Sequence, residues 1–208
     1  MSIITLPAGI YFGSFAISQK RFDLKEVSDS TGSARDRLIS PPRWRLRFAP
    51  PGVGIPYPQA ALWKTMLLTL RGGVNHLAAY DVAQVAPTGT MRGSPVIGSA
   101  GAAKGATIAP ITGGTANGTL KAGDWLQIGS GLGSQLVSVT VDVTLNSSGA
   151  GDVTFEPPLR AAYTVGTAVT WDKPVAYYKM MSDVPEWAYT PGAFLVSGFN
   201  CDFMEQWT

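Results

Sequence analysis

The chain holds a single cysteine and a single histidine in 208 residues, and only 14% of its side chains are charged. One cysteine, Cys201, excludes an intrachain disulfide, and it reads as a small core residue of the last strand. His76 lies far from it in sequence, which argues against a metal cluster or a Cys/His nucleophile. A phosphate-binding loop and a G-x-S-x-G nucleophile turn are both missing as well. No apolar run approaches the roughly 18 residues that a membrane-spanning helix needs. No basic segment followed by an apolar one opens the chain. The expectation is a soluble protein without a secretion signal, with no cofactor, no metal and no membrane contact.

What is abundant is glycine, with 24 residues, and proline, with 15. Low charge with many turn formers points to β-structure with surfaces that other subunits cover. The net charge of +2 hides a split: residues 1 to 72 carry ten Lys/Arg against four Asp/Glu, whereas 73 to 208 carry six against ten. That polarity suits head-to-tail contacts between copies, or simply a solvated basic face.

One stretch organises the rest. Trp44-Arg45-Leu46-Arg47-Phe48 alternates apolar and basic residues, which predicts a strand with Trp44, Leu46 and Phe48 on a buried face and the arginines on the other. Trp63, Met66, Leu67 and Leu70 then recur at helical spacing, so Pro58 to Arg71 is predicted to be an amphipathic helix of about 21 Å. Pro58 suits a first turn, and Gly72-Gly73 can leave the helix in a left-handed conformation. Upstream, Ser28 to Ser40 is polar and reads as a long exposed loop. His76, just past the helix, reads as a cap on its last carbonyls.

The order W-x-L-x-F, a proline-rich bend, a helix ending L-x-x-L-R-G, a short strand and Asp81 resembles the distal tail proteins of long-tailed phages. The Thr31-Gly32 loop and the closing aromatic strand Phe203-Met204-Glu205 add to the resemblance, which covers roughly residues 1 to 92 and 174 to 208. It implies a mainly β fold with one helix: a ring-forming β-sandwich belt domain built from those two segments. In that family the ring is usually hexameric and joins the tail tube above to the baseplate hub below. The resemblance therefore implies a structural, non-enzymatic virion protein at the distal end of the tail.

Residues 93 to 173 differ in composition. Strands at the glycine-bounded Gly123 to Gly129, at Val137 to Leu145 in strict alternation, at Asp152 to Glu156 and at Ala168 to Trp171, with glycine turns between them, suggest a small closed barrel or sandwich, placed here as an inserted β-barrel. The runs Leu120 to Ile128, Val139 to Asp142 and Glu156 to Arg160 also look like β-inserts of some distal tail proteins. Gly129-Ser130-Gly131-Leu132-Gly133 sits between two strands and reads as a turn.

The candidate working residues follow. Arg35, Arg37, Arg45 and Arg47 are expected at a contact with a neighbouring copy or the tube. The row Arg43, Arg45, Arg47 could also line a lumen that nucleic acid traverses, but no aromatic residues interleave on the arginine face to stack on bases, so no specific nucleic acid is expected. Trp125, Tyr163 and Trp171 could stack on sugar rings, which makes a carbohydrate-binding module acting through the barrel the alternative function; filling the barrel is their plainer role. Asp124, Asp142, Asp152 and Glu156 could supply a carboxylate pair for glycoside hydrolysis, although turn and edge aspartates explain them without catalysis.

Overall fold

The structure is a computed structural model that describes residues 1–182, 186–199 and 201–207. It is mainly β, with a single α-helix among the described residues. The elements are β1 (Ile3–Thr5), β2 (Ser14–Val27), β3 (Ala34–Ala49), β4 (Ile55–Pro56), α1 (Tyr57–Leu70) and β5 (His76–Ala79). Then come β6 (Gly93–Ile97), β7 (Ile108–Gly114), β8 (Thr119–Leu120), β9 (Trp125–Ile128), β10 (Gln135–Val139), β11 (Val143–Thr144), β12 (Gly151–Glu156) and β13 (Val169–Thr170). The last are β14 (Ala176–Met180), β15 (Ala188–Thr190), β16 (Leu195–Ser197) and β17 (Cys201–Glu205).

The first and last segments build one six-stranded sheet in the order β1-β5-β14-β17-β3-β2. As the alternation predicts, Trp44, Leu46 and Phe48 are buried. α1 lays Ala60, Trp63, Met66, Leu67 and Leu70 into the same core. Phe48 stacks on Phe203 at 5.1 Å between ring centroids and meets Trp63 at 5.5 Å. Arg71 is the first residue to leave the helix in the left-handed conformation, followed by Gly72 and Gly73. The helix end is tied down by Asn75, whose N–H donates to Leu70 O (3.1 Å) and whose Nδ2 donates to Thr69 O (2.8 Å). The expected cap at His76 is therefore corrected: its side chain is buried in β5 and the neighbouring asparagine does the capping.

Ser28 to Ser40 is not a long loop. β2 and β3 pair from Ser14–Ala49 out to Val27–Ala34, and only Ser28 to Ser33 turns. Ser28 N–H to Ser33 O and Gly32 N–H to Ser28 O close that turn, with Gly32 at φ 65°. β17 pairs β3 only from Arg45 to Phe48. Beyond Trp44 the hairpin therefore runs on without a third strand, as a two-stranded arm.

The second sheet has the order β13-β9-β10-β12-β7-β6 and is nearly closed into a barrel. A Val96–Ala168 bridge joins its ends, with Ile97 N–H donating to Thr167 O and Gly166 N–H to Ile97 O. Its core gathers Ile97, Ile111, Leu126, Val137, Val153 and Phe155. Gly131–Gly133 is a single 3₁₀ turn between β9 and β10, in line with its reading as a turn. The Val137-to-Leu145 strand breaks in the middle: Val141 is exposed, and Val143–Thr144 pairs β8 instead. At the break the Asp142 carboxylate accepts Ala122 N–H and Lys121 Nζ, both at 2.8 Å.

The two sheets are joined through side chains. Trp44 Nε1 donates to Leu136 O (2.8 Å), and the Trp44 and Trp125 rings meet edge-on at 4.9 Å. Beside them Arg160 Nη1 donates to Glu205 Oε1 at 2.9 Å, with both side chains under a tenth exposed.

Candidate functional site: an open basic sheet face

Alternation in β3 puts its apolar residues against α1 and sends Arg43, Arg45 and Arg47 to the opposite face. Register adds Lys20, opposite Arg43, from β2. Asp202, opposite Arg47, comes from β17, and Lys179 comes from β14. Charge on this face is thus mostly positive, with Asp202 the carboxylate among these groups.

The arginines are not equivalent. Arg45 grips Asp202 with both nitrogens of its fork, Nε at 2.8 Å to Oδ1 and Nη2 on Oδ2. That hydrogen bond holds the Asp202 carboxyl below its ordinary range even though burial opposes it. Arg47 stays 57% exposed and only reaches Asp202 at 3.9 Å. Arg43 lies between rings, 5.7 Å from Phe22 and 4.5 Å from Trp207, and donates to Gln206 Oε1 at 3.1 Å. So Arg45 and Arg47 share one face, while Arg35 and Arg37 project from the arm, opposite Glu26 and Leu24.

The aromatic residues considered for sugar stacking do not come together. Trp125 is spent on the joint with Trp44 and packs into the core of the first sheet. Tyr163 is buried in the barrel and its hydroxyl donates to Gly133 O (2.9 Å); burial pushes its pKa up. Trp171 keeps some exposure, but its Nε1 donates to Gly93 O and Arg92 covers its ring at 5.0 Å. A stacking platform built from these three is absent.

The carboxylates have structural work of their own. Asp124 is fully buried and accepts from Gln84 Nε2 (2.9 Å), Thr88 N–H (2.7 Å), Thr88 Oγ1 (2.6 Å), Gly89 N–H (3.2 Å) and Lys121 N–H (2.7 Å). It staples residues 84 to 89, the entry to the barrel, against β9. Asp142 is held by Lys121 and Ala122, which lower its pKa. Asp152 and Glu156 stand exposed on β12.

Sequence reasoning missed one feature. Tyr57, Tyr189 and Phe194 are exposed large aromatics around one corner of the molecule, where α1 begins beside the sheet β15-β16-β4. The signal available was the turn Thr190-Pro191-Gly192-Ala193-Phe194, which presents an aromatic residue straight after breakers.

No family model matches the chain, and no curated protein matches it.

Proposed function

We propose that this chain is a structural, non-enzymatic protein of a phage tail tip, which assembles as a ring, six copies by family resemblance, between the tail tube and the baseplate hub. The observation that carries the reading is the six-stranded sheet itself. One face is packed on α1; the other presents Lys20, Arg43, Arg45, Arg47 and Lys179 around a single aspartate, with free edges at β1 and β2. Free strand edges require protection, and a surface of one dominant charge recruits a partner of the opposite sign. A ring of copies in contact with tube and hub supplies both. The outer arm, where residues 24 to 27 and 34 to 37 are exposed, supports the same reading, because a lone two-stranded hairpin is marginal in water.

The carbohydrate-binding alternative loses the support it had, since Trp125 and Tyr163 are used internally. Static light scattering and negative-stain imaging test the proposal. Rings are expected at low salt, alone or with tube or hub protein added, and they should weaken as salt screens exposed charges over about 8 to 10 Å. A strictly monomeric species under all those conditions overturns it.

A further inference from the structure

Two surfaces stand exposed among the described residues. The first is one face of the arm. Register sets Leu24 opposite Arg37 and Glu26 opposite Arg35, and residues directly opposite in a ladder share a face. This face therefore offers a leucine, a carboxylate and two guanidiniums, all four exposed. Among the described residues none of the three charged groups enters an ion pair.

The second surface is the aromatic corner. Tyr57 is 63% exposed, Tyr189 58% and Phe194 86%. Together with Leu195 and Val196 they line an open cavity of about 410 Å³. Lys64 sits at its rim, already engaged within the chain: its Nζ donates to the Tyr189 hydroxyl and lies 5.2 Å from the Tyr57 ring, 4.4 Å from the Tyr189 ring and 5.4 Å from the Trp187 ring. Phe194 is held at φ 53°, a left-handed conformation uncommon for a bulky residue. Exposed aromatic residues clustered around a cavity are the composition of a protein contact.

We infer that the arm of one copy seats on the aromatic corner of the next. The chemistry is complementary: a guanidinium of the arm lies over Phe194, the exposed ring of the three that Lys64 does not cover, Leu24 fills the apolar cavity, and Glu26 supplies the carboxylate that Lys64 lacks among the described residues. The position of the two surfaces says why the occupant is a second copy rather than the chain's own arm. The arm occupies the start of β3, and the aromatic corner begins at β4, just after its end. At about 3.3 Å per residue, roughly 40 Å of strand separates Arg37 from Ala49. Surfaces at opposite ends of one long strand cannot meet in one chain, but they make a heterologous contact between copies, the kind that closes into a ring.

This inference rests on the ring reading, and the test separates the two. A double variant Glu26→Cys, Lys64→Cys is oxidised at low salt and run on non-reducing denaturing gels. Cys201 does not interfere, because it is 1% exposed and its thiol is pushed up to about 12 by burial. A covalent ladder beyond dimer is expected from the double variant and from neither single one. Phe194→Asp and Arg37→Glu, both at exposed positions, should each raise the concentration needed for assembly at least tenfold. Rings of unchanged mass from both variants, with no ladder, overturn this contact and leave the ring reading standing. Intact rings that lose only their binding to tube or hub protein assign the corner to that protein and overturn the inference. A wild-type chain that never assembles overturns both.

Discussion

The barrel and the open sheet are built from the same kind of material, short strands and glycine turns, yet they end in opposite conditions. In the barrel the strands nearly close on themselves, so few backbone groups face outward as an edge. Its most deeply buried charge, Asp124, has five donors within hydrogen-bonding distance. The open sheet has two free edges, a mostly basic face and an arm whose outer residues, 24 to 27 and 34 to 37, are exposed. One region closes on itself and the other leaves edges free, and that difference, more than any one residue, is what the proposed assembly role rests on.

The largest expected effect falls on the joint between the two regions. Replacing residues 93 to 173 by a short Gly/Ser linker should leave the open sheet folded, since its strands and helix come from the flanking segments. The remainder loses Arg160 against Glu205 and Leu136 O against Trp44, so Glu205→Gln in the same variant should recover part of the loss. Calorimetry should show one cooperative transition at lower temperature. A flat trace would mean that the two regions form one inseparable core.

Within the barrel, Asp124→Ala removes the acceptor of five donors. At about 1 to 3 kcal/mol for each donor left unsatisfied, partly offset by water, the loss should exceed about 4 kcal/mol and fall on the barrel. Chemical denaturation followed at Trp171 in the barrel and Trp63 in the sheet core would separate two transitions; a single unshifted one would contradict the stapling role.

At the joint, Glu205→Ala leaves the Arg160 guanidinium buried without its carboxylate, a change that costs about 3 to 5 kcal/mol in such sites. Burial pushes the Glu205 pKa up, while Trp44 N–H and Arg160 pull it back. Because its folded-state pKa is raised, this carboxyl favours the fold below the ordinary glutamate range and loses that contribution as pH rises through the folded value. Replacing both partners, Arg160→Met with Glu205→Leu, should be far milder than the single change. Equal losses in the two variants would show that the pair is not acting as a pair.

In the open sheet, Leu70→Ala should destabilise by about 2 to 5 kcal/mol through the cavity it leaves among Trp63, Met66 and Leu67, with the barrel transition unmoved. An unchanged melting temperature would show that α1 does not carry this core. The smallest effect belongs to His76. Burial, with Lys179 nearby, lowers its pKa from 6.5. The unfolded chain then binds the extra proton first, so stability should fall as pH drops below about 6.5 and level off below the folded value. His76→Gln should flatten that slope; an identical pH profile in the variant would place the effect elsewhere.

Much of the open sheet was legible because its signals are local. Trp44, Leu46 and Phe48 alternate, Trp63 to Leu70 repeat at helical spacing, and both patterns survive in the structure. The arm was illegible for the converse reason. Glu26, Arg35, Asp36 and Arg37 give neither strand face an apolar stripe, so a segment held only by cross-strand pairing looks like a polar loop. Val137 to Leu145 misled in the other direction, because alternation cannot show that Asp142 will turn to Ala122 or that Val143–Thr144 will pair β8. Among the candidate site residues, sequence pattern placed Arg45 and Arg47 on one face but could not show that Asp202 occupies Arg45. The sugar-stacking set failed because aromaticity says nothing about which core a ring joins; Trp125 turns to Trp44.

On the proposed assembly, the open sheet and its arm are finished only by a neighbour. Hydrogen exchange of the full chain, compared between dilute monomer and the assembled state, tests it directly. Amides of residues 22 to 27 and 34 to 37 should exchange rapidly in the monomer and slow at least tenfold on assembly, while β9, β10 and β12 of the barrel stay unchanged. Arm amides that are already protected in the monomer, or that remain fast in the assembled state, would contradict the account.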